Sequence, residues 1–145
     1  MKKLTEIKFE ELTTKQKLSM VHAAYISGKS AEEEKEYIFD LIRNRALGAV
    51  WIQWNTDRAQ ENINKVREIA DYPILIITDA ESGLGDYLVG RHNAIGCTGK
   101  EEYAYAFGKA VGVTAGNMGY NVVCNPVLDI KENGFGFYEF KVKNA

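Results

Sequence analysis

Several features that mark particular protein classes are missing from this sequence. Lys and Arg total 18 against 20 Asp and Glu, a net charge of -2, and no basic stripe alternates with aromatic residues. Acidic residues interrupt the N-terminal stretch "MKKLTEIKFEEL" too early for a secretory signal, and no apolar run approaches the roughly 18 residues of a membrane span. We therefore expect a cytoplasmic protein that binds neither nucleic acid nor a membrane.

Cysteine is scarce and is not spaced for metal binding. Cys97 and Cys124 are the only two, and they lie far apart in the chain. This usage favours buried, reduced thiols rather than a disulfide or a metal centre. We expect no metal and no cofactor.

The composition is typical of one folded globular domain. The chain has 145 residues, of which 46% are hydrophobic and 26% charged. That balance is typical of a globular domain with its own core and argues against disorder.

Helix signals recur along the chain. Capping-box pairs occur at Thr13 and Gln16, at Ser30 and Glu33, and at Thr98 and Glu101, and apolar residues follow each at helical spacing. The first pair predicts a helix that ends near Gly28. Thr56 and the stretch after it predict a further helix.

Three apolar runs of strand length separate the later helices. "ALGAVWIQWN", "ILIIT" and "YNVVCNPVLDI" lack the apolar and polar alternation of half-exposed strands, so they read as buried parallel strands. Parallel strands joined by helices expose their carboxyl ends on one ligand-binding edge. Asp79 and Asp129 both fall at such ends.

The residues resemble glycoside hydrolase family 3. "LTTKQKLSMV", "LGAVWIQWN", "PILIITDAESG" and "GYNVVCNPVLDI" occur in the order and spacing of that family, which includes β-glucosidases and β-N-acetylhexosaminidases, and the resemblance covers roughly residues 12–130. It implies an incomplete TIM-type (β/α)8 barrel, with about three parallel strand-helix units preceded by two helices. Residues 1–145 then form a single partial domain, with a divergent tail at residues 131–145.

The resemblance also implies a sugar site. Asp79 matches a family aspartate that hydrogen-bonds sugar hydroxyls, and Asp129 matches a second strand-end aspartate. The usual family arginine is replaced by Tyr87 and Leu88, so Arg91 and His92 become the substitute binding candidates. The alternative for Asp79 is a cap on the following turn.

The loop after Asp79 carries two further predictions. Glu81 is expected to support the loop through backbone hydrogen bonds. Gly83 and Gly85 are expected to adopt positive φ, which lets the loop turn close above the barrel mouth.

The resemblance assigns no catalytic residue to this chain. Retaining glycosidases need a nucleophile and an acid/base, and the family's residues for both roles lie on later strands. We therefore expect a β-glycoside ligand but no activity by the chain alone. Two alternatives stay open: a binding or assembly module completed by a partner chain or self-association, and a flavodoxin-like regulator.

Overall fold

Four parallel strands in sequential order form the framework of the protein. The computed structural model describes residues 8–54, 58–81, 83–84 and 92–126, and of His92 and Asn93 the backbone only. In chain order, a 3-10 helix at Phe9–Glu11 precedes α1 (Thr14–Ser19), β1 (Ala23–Ile26), α2 (Glu32–Arg43), β2 (Ala49–Ile52), α3 (Ala59–Ile69), β3 (Leu75–Asp79), α4 (His92–Gly96), α5 (Glu101–Met118) and β4 (Val122–Cys124).

The sheet confirms the predicted α/β class and the three predicted strands. Its order is β1-β2-β3-β4, and every neighbouring pair is parallel. The register aligns Tyr25 with Trp51, Trp51 with Ile77, and Ile77 with Val122. Each helical crossover therefore connects neighbouring strands.

The described helices α2, α3 and α5 bury one face of the sheet, which we call the helix face. Apolar residues from these helices join strand residues of alternate register in one core cluster. The strand residues concerned are Ile26, Val50, Ile52 and Ile76, each at most 1% exposed. Alternation along a strand sends the intervening side chains to the other side.

The opposite side, which we call the open face, is only partly covered. It consists of Tyr25, Trp51, Leu75, Ile77 and Val122. None of these five belongs to the core cluster or packs against it, and Tyr25 is 55% exposed. The described residues thus bury one face of an apolar sheet and leave the other half-exposed.

The prediction of one long first helix is wrong. The helix ends at Ser19, and Ala23–Ile26 forms β1 instead. Leu18 and Val21, which the helical pattern placed on a buried face, are 60% and 79% exposed. Pairing with β2 overrides the helical preference of the alanines, because the amides of Gly48 and Ala49 both donate to the His22 carbonyl. The predicted second helix is consequently a crossover between β1 and β2.

The capping predictions hold in part. The Thr13 and Gln16 box is confirmed, with Gln16 N donating to Thr13 Oγ1 at 3.2 Å. The other two predictions are wrong. The N-cap of α2 is Ala31 and not Ser30, and the Ala31 N–H donates to the Glu34 side chain. The N-cap of α5 is Lys100 and not Thr98. The Ser30 and Thr98 hydroxyls instead accept from Ser27 N and Lys100 N, in the turns before those helices.

The predictions for the two cysteines and for the cap at Thr56 have different outcomes. Cys97 and Cys124 are free, but neither is fully buried: Cys97 is exposed in the turn after α4, and Cys124 is partly buried in β4. Thr56 lies outside the described residues. No helix within the described ranges is both long and apolar enough to cross a membrane.

Candidate functional site

The structure places Asp79 where the sequence predicts it, at the carboxyl end of β3. The run from Leu75 is buried on alternate residues and ends at this carboxylate. The chain then turns, with Gly83 N donating to the Ala80 carbonyl at 3.1 Å. Gly83 has φ of 97°, which confirms the expected positive φ, and the fully buried Leu84 returns the chain to the core. The turn leaves Asp79 half-buried.

The surroundings of Asp79 disfavour its charge. Burial raises the pKa of this carboxyl, and the nearby carboxylate of Glu81 raises the pKa further. Because its pKa is raised in the folded protein, Asp79 contributes stability in the protonated form, and that contribution is lost as pH rises through the folded pKa. The fold thus disfavours the charged form of a carboxyl at a strand end, and perturbed carboxyls of this kind are common at functional sites.

Cys124 lies beside Asp79 and was not recognised in the sequence. The two residues are register partners across β3 and β4. Burial raises the pKa of the Cys124 thiol, and the charges of Asp79 and Glu81 raise the pKa further. The thiol is therefore protonated at neutral pH and is a poor nucleophile. In the sequence Cys124 stands in the middle of the third apolar run, where no spacing marks it as a site residue.

Buried hydroxyl groups hold the strand ends that carry this site. The Tyr120 hydroxyl donates to the Ile52 carbonyl at the end of β2, at 3.0 Å. The hydroxyl of the fully buried Thr78 donates to the Asp79 carbonyl at 3.3 Å. The first bond holds the end of β2, and the second lies at the end of β3 beside Asp79.

The neighbouring strands add polar groups to the same edge. Gln53 follows β2, and its backbone N–H donates to the Ile26 carbonyl at 3.0 Å. The Tyr25 hydroxyl donates to Gln53 Oε1 at 3.3 Å. The carboxyl edge thus presents the phenol of Tyr25, the side-chain amide of Gln53 and the carboxyl groups of Asp79 and Glu81. These hydrogen-bonding groups suit a polar neutral ligand.

The other predicted site residues are only partly described. His92 is the first residue of α4, and its side chain is not described; Arg91, Gly85 and Asp129 lie outside the described residues. The roles predicted for Arg91, His92, Asp129 and Glu81 stay predictions. Within the described ranges no cluster of three His, Cys, Asp or Glu side chains is placed to hold a metal ion.

Comparisons with protein-family models, with curated proteins and with solved structures found no match to this chain. Its function is therefore argued from the site itself and from the motifs of the sequence.

Proposed function

We propose that this chain forms the N-terminal part of a family 3 glycoside hydrolase barrel and holds a sugar through Asp79 without catalysing hydrolysis on its own. The observation that carries the proposal is a half-buried carboxylate at the carboxyl end of a parallel strand, where burial raises its pKa. A carboxylate there can accept hydrogen bonds from two sugar hydroxyls at once.

The topology of the sheet supports a barrel type of architecture. Its described strands follow one another in sequence, and the described helices α2, α3 and α5 pack on one face. A (β/α)8 barrel has both features, whereas doubly wound sheets carry helices on both faces and reverse their strand order. The flavodoxin-like strand order 2-1-3-4-5 differs from the order described here.

The absence of catalysis follows from the motifs. In the family the nucleophile and the acid/base match no residue of this chain. Neither of the two groups that flank a scissile glycosidic bond is then available. Cys124 does not replace them, because the pKa of its thiol is raised.

The test measures hydrolysis and binding separately. Purified chain is expected to leave chromogenic β-glucoside and β-N-acetylglucosaminide uncleaved, and to bind glucose or N-acetylglucosamine with Kd on the order of millimolar in NMR titrations. Asp79→Ala is expected to weaken binding about tenfold or more, since a hydrogen bond to a charged group contributes about 1.5–3 kcal/mol.

Matched variants separate this effect from a general loss of charge or of fold. Asp40→Asn removes an exposed carboxylate on α2 and is expected to leave sugar binding unchanged. Asp79→Asn is expected to fold at least as stably as the parent chain, because the removed charge is disfavoured in the fold. Clear turnover that Asp79→Ala abolishes, or sugar binding that survives this substitution, would overturn the proposal.

A second candidate function, assembly with another chain or with a second copy, is favoured by the open face. Tyr25, Trp51 and Ile77 lie side by side on this face, and the described helices do not pack there. Contiguous apolar surface of this kind marks interaction sites in many proteins.

The open face predicts concentration-dependent association. The sedimentation coefficient of the purified chain is expected to rise with protein concentration, and Tyr25→Glu is expected to lower this association about tenfold by placing a charge in the contact. Val113→Glu is the matched control, because Val113 is 56% exposed on α5 and Tyr25 is 55% exposed. A monomer at all concentrations, or equal effects of the two substitutions, would eliminate this candidate.

A further inference from the structure

A cavity of about 360 Å³ lies beside the end of β4, against α4 and α5. Its volume is near the lower end of the range of small-molecule pockets. Its wall is mainly apolar, and the residues that form most of it are Ile95, Ala104, Phe107, Gly108, Asn125 and Pro126. Neither Asp79 nor Glu81 is among the described residues that line it.

One polar atom in the cavity wall lacks a partner. The side-chain oxygen of Asn125 is buried, and no described residue donates a hydrogen bond to it. A buried acceptor left without a donor costs about 1–3 kcal/mol, and such groups are rare in folded proteins. A ligand with a donor group would remove this cost. Because this oxygen is buried, the Asn125 amide must rotate about its terminal torsion, which is broad for asparagine, before a ligand in the cavity can donate to it.

The first turn of α5 adds donors on the same side. Lys100 and Glu101 line the cavity, and Lys100 provides no side-chain cap for the helix. The N–H groups of Lys100 and Tyr103 already donate to Thr98 Oγ1 and to the Lys100 carbonyl. This leaves the first two N–H groups of the helix, those of Glu101 and Glu102, without a partner within the helix. A hydroxyl group is complementary to this combination, because it donates one hydrogen bond and accepts others.

We propose that this cavity binds a small, uncharged and mainly apolar ligand with one hydroxyl group, which donates to Asn125 Oδ1. A charged ligand would lose its hydration against a mainly apolar wall, and the two charged residues that line it, Lys100 and Glu101, are exposed and of opposite sign, so they favour neither charge. A sugar presents a hydroxyl on most of its carbons, and this wall offers too few polar groups to satisfy them. The ligand proposed for this cavity thus differs in chemistry from the sugar proposed at Asp79.

Titration with 2-naphthol, followed by its fluorescence, tests the ligand class. The matched probe is 2-methoxynaphthalene, which has the same rings and an ether oxygen but no donor. We expect 2-naphthol to bind about tenfold more tightly, which is the effect of one hydrogen bond to a buried acceptor. Equal affinity for the two probes, or no binding of either, would overturn the proposal.

Variants locate the binding site. Asn125→Leu is expected to remove the difference between the two probes by weakening only 2-naphthol. Gly108→Phe is expected to fill the cavity and weaken both probes tenfold or more, because a Cβ added at Gly108 meets nothing within 4 Å.

Gly112→Phe is the control, since a Cβ there also meets nothing within 4 Å but the residue does not line the cavity. Phenylalanine is a better helix former than glycine, so neither substitution is expected to unfold α5. Loss of binding in Gly112→Phe, retention in Gly108→Phe, or loss in the open-face variant Tyr25→Glu would place the probes elsewhere and refute the assignment.

Discussion

Gly48→Ala is expected to lower the free energy of unfolding by about 3 kcal/mol or more, enough to unfold a marginally stable protein. A Cβ at this position would lie 2.2 Å from the Met20 carbonyl oxygen and 2.5 Å from Met20 Cα. Both atoms are backbone atoms and cannot rotate away. The clash must therefore be relieved by separating the α1–β1 connection from the start of β2.

The backbone around Gly48 has little freedom to make that movement. The Gly48 amide donates to the His22 carbonyl at 3.0 Å, and its carbonyl accepts from Leu75 N at 3.0 Å. Gly48 is thus hydrogen-bonded toward β1 on one side and β3 on the other. Any shift that relieves the clash breaks one of these sheet contacts.

Gly112→Ala provides a control of opposite sign. Gly112 lies within α5, and a Cβ there meets nothing within 4 Å. We expect it to stabilise the protein by about 1 kcal/mol, because alanine is a better helix former than glycine. Urea denaturation of the two variants and the parent chain measures both effects. A Gly48→Ala protein as stable as the parent would show that Met20 does not pack against this position.

Alkaline pH is expected to destabilise the protein between pH 10 and pH 12 through two buried tyrosines. Burial raises the pKa of Tyr72 to about 12 and that of Tyr120 to about 12. Their hydroxyls donate to the Leu47 carbonyl at 2.6 Å and to the Ile52 carbonyl at 3.0 Å. Only the protonated phenol can make these bonds.

The sign follows from proton linkage. Between pH 10 and 12 the unfolded chain loses the two protons while the folded protein keeps them, so stability falls as pH rises. The stabilising contribution is complete below pH 10. Each tyrosine is expected to cost about 2 kcal/mol by pH 12. The measurement is the free energy of unfolding in urea at successive pH values.

Phenylalanine variants attribute the pH dependence to these two residues. The double variant Tyr72→Phe and Tyr120→Phe is expected to lose about 1 kcal/mol per hydrogen bond at neutral pH, and to show a smaller fall between pH 10 and 12. Tyr37→Phe, which removes a hydroxyl from a 66% exposed site, controls for the substitution itself. An unchanged slope in the double variant would assign the alkaline transition to other groups.

The spacing of apolar residues was sufficient to predict structure where buried positions repeat along a single helix or strand. On α2 and α3 the residues Ile38, Ile42, Ile63 and Val66 recur at helical spacing and are buried as that spacing predicts, whereas Tyr37, which the spacing places on the same face, is 66% exposed. The runs in β2 and β3 are continuous because both faces carry apolar side chains. The residue that ends such a run, as Asp79 ends β3, is then placed by counting along the strand.

The same patterns failed where the deciding contact lies far away in the sequence. Ala23–Ile26 is too short to show a period, and its alanines favour a helix, so only pairing with Ala49–Ile52 reveals β1. The contact of Cys124 with the site depends on its register against Asp79, 45 positions earlier. The partnerless oxygen of Asn125 likewise depends on how α5 lies against the end of β4.

The sequence by itself determined the α/β class, the parallel direction of β2, β3 and β4, and the place of Asp79 at a strand end, because each depends on periods and spacings within short segments. Only the tertiary structure decided that a fourth strand precedes them, that Cys124 is the register partner of Asp79 and that the described helices α2, α3 and α5 pack on one face of the sheet. These features depend on strand register and on packing between segments that are far apart in the sequence. The free energy of such contacts cannot be inferred from either segment alone.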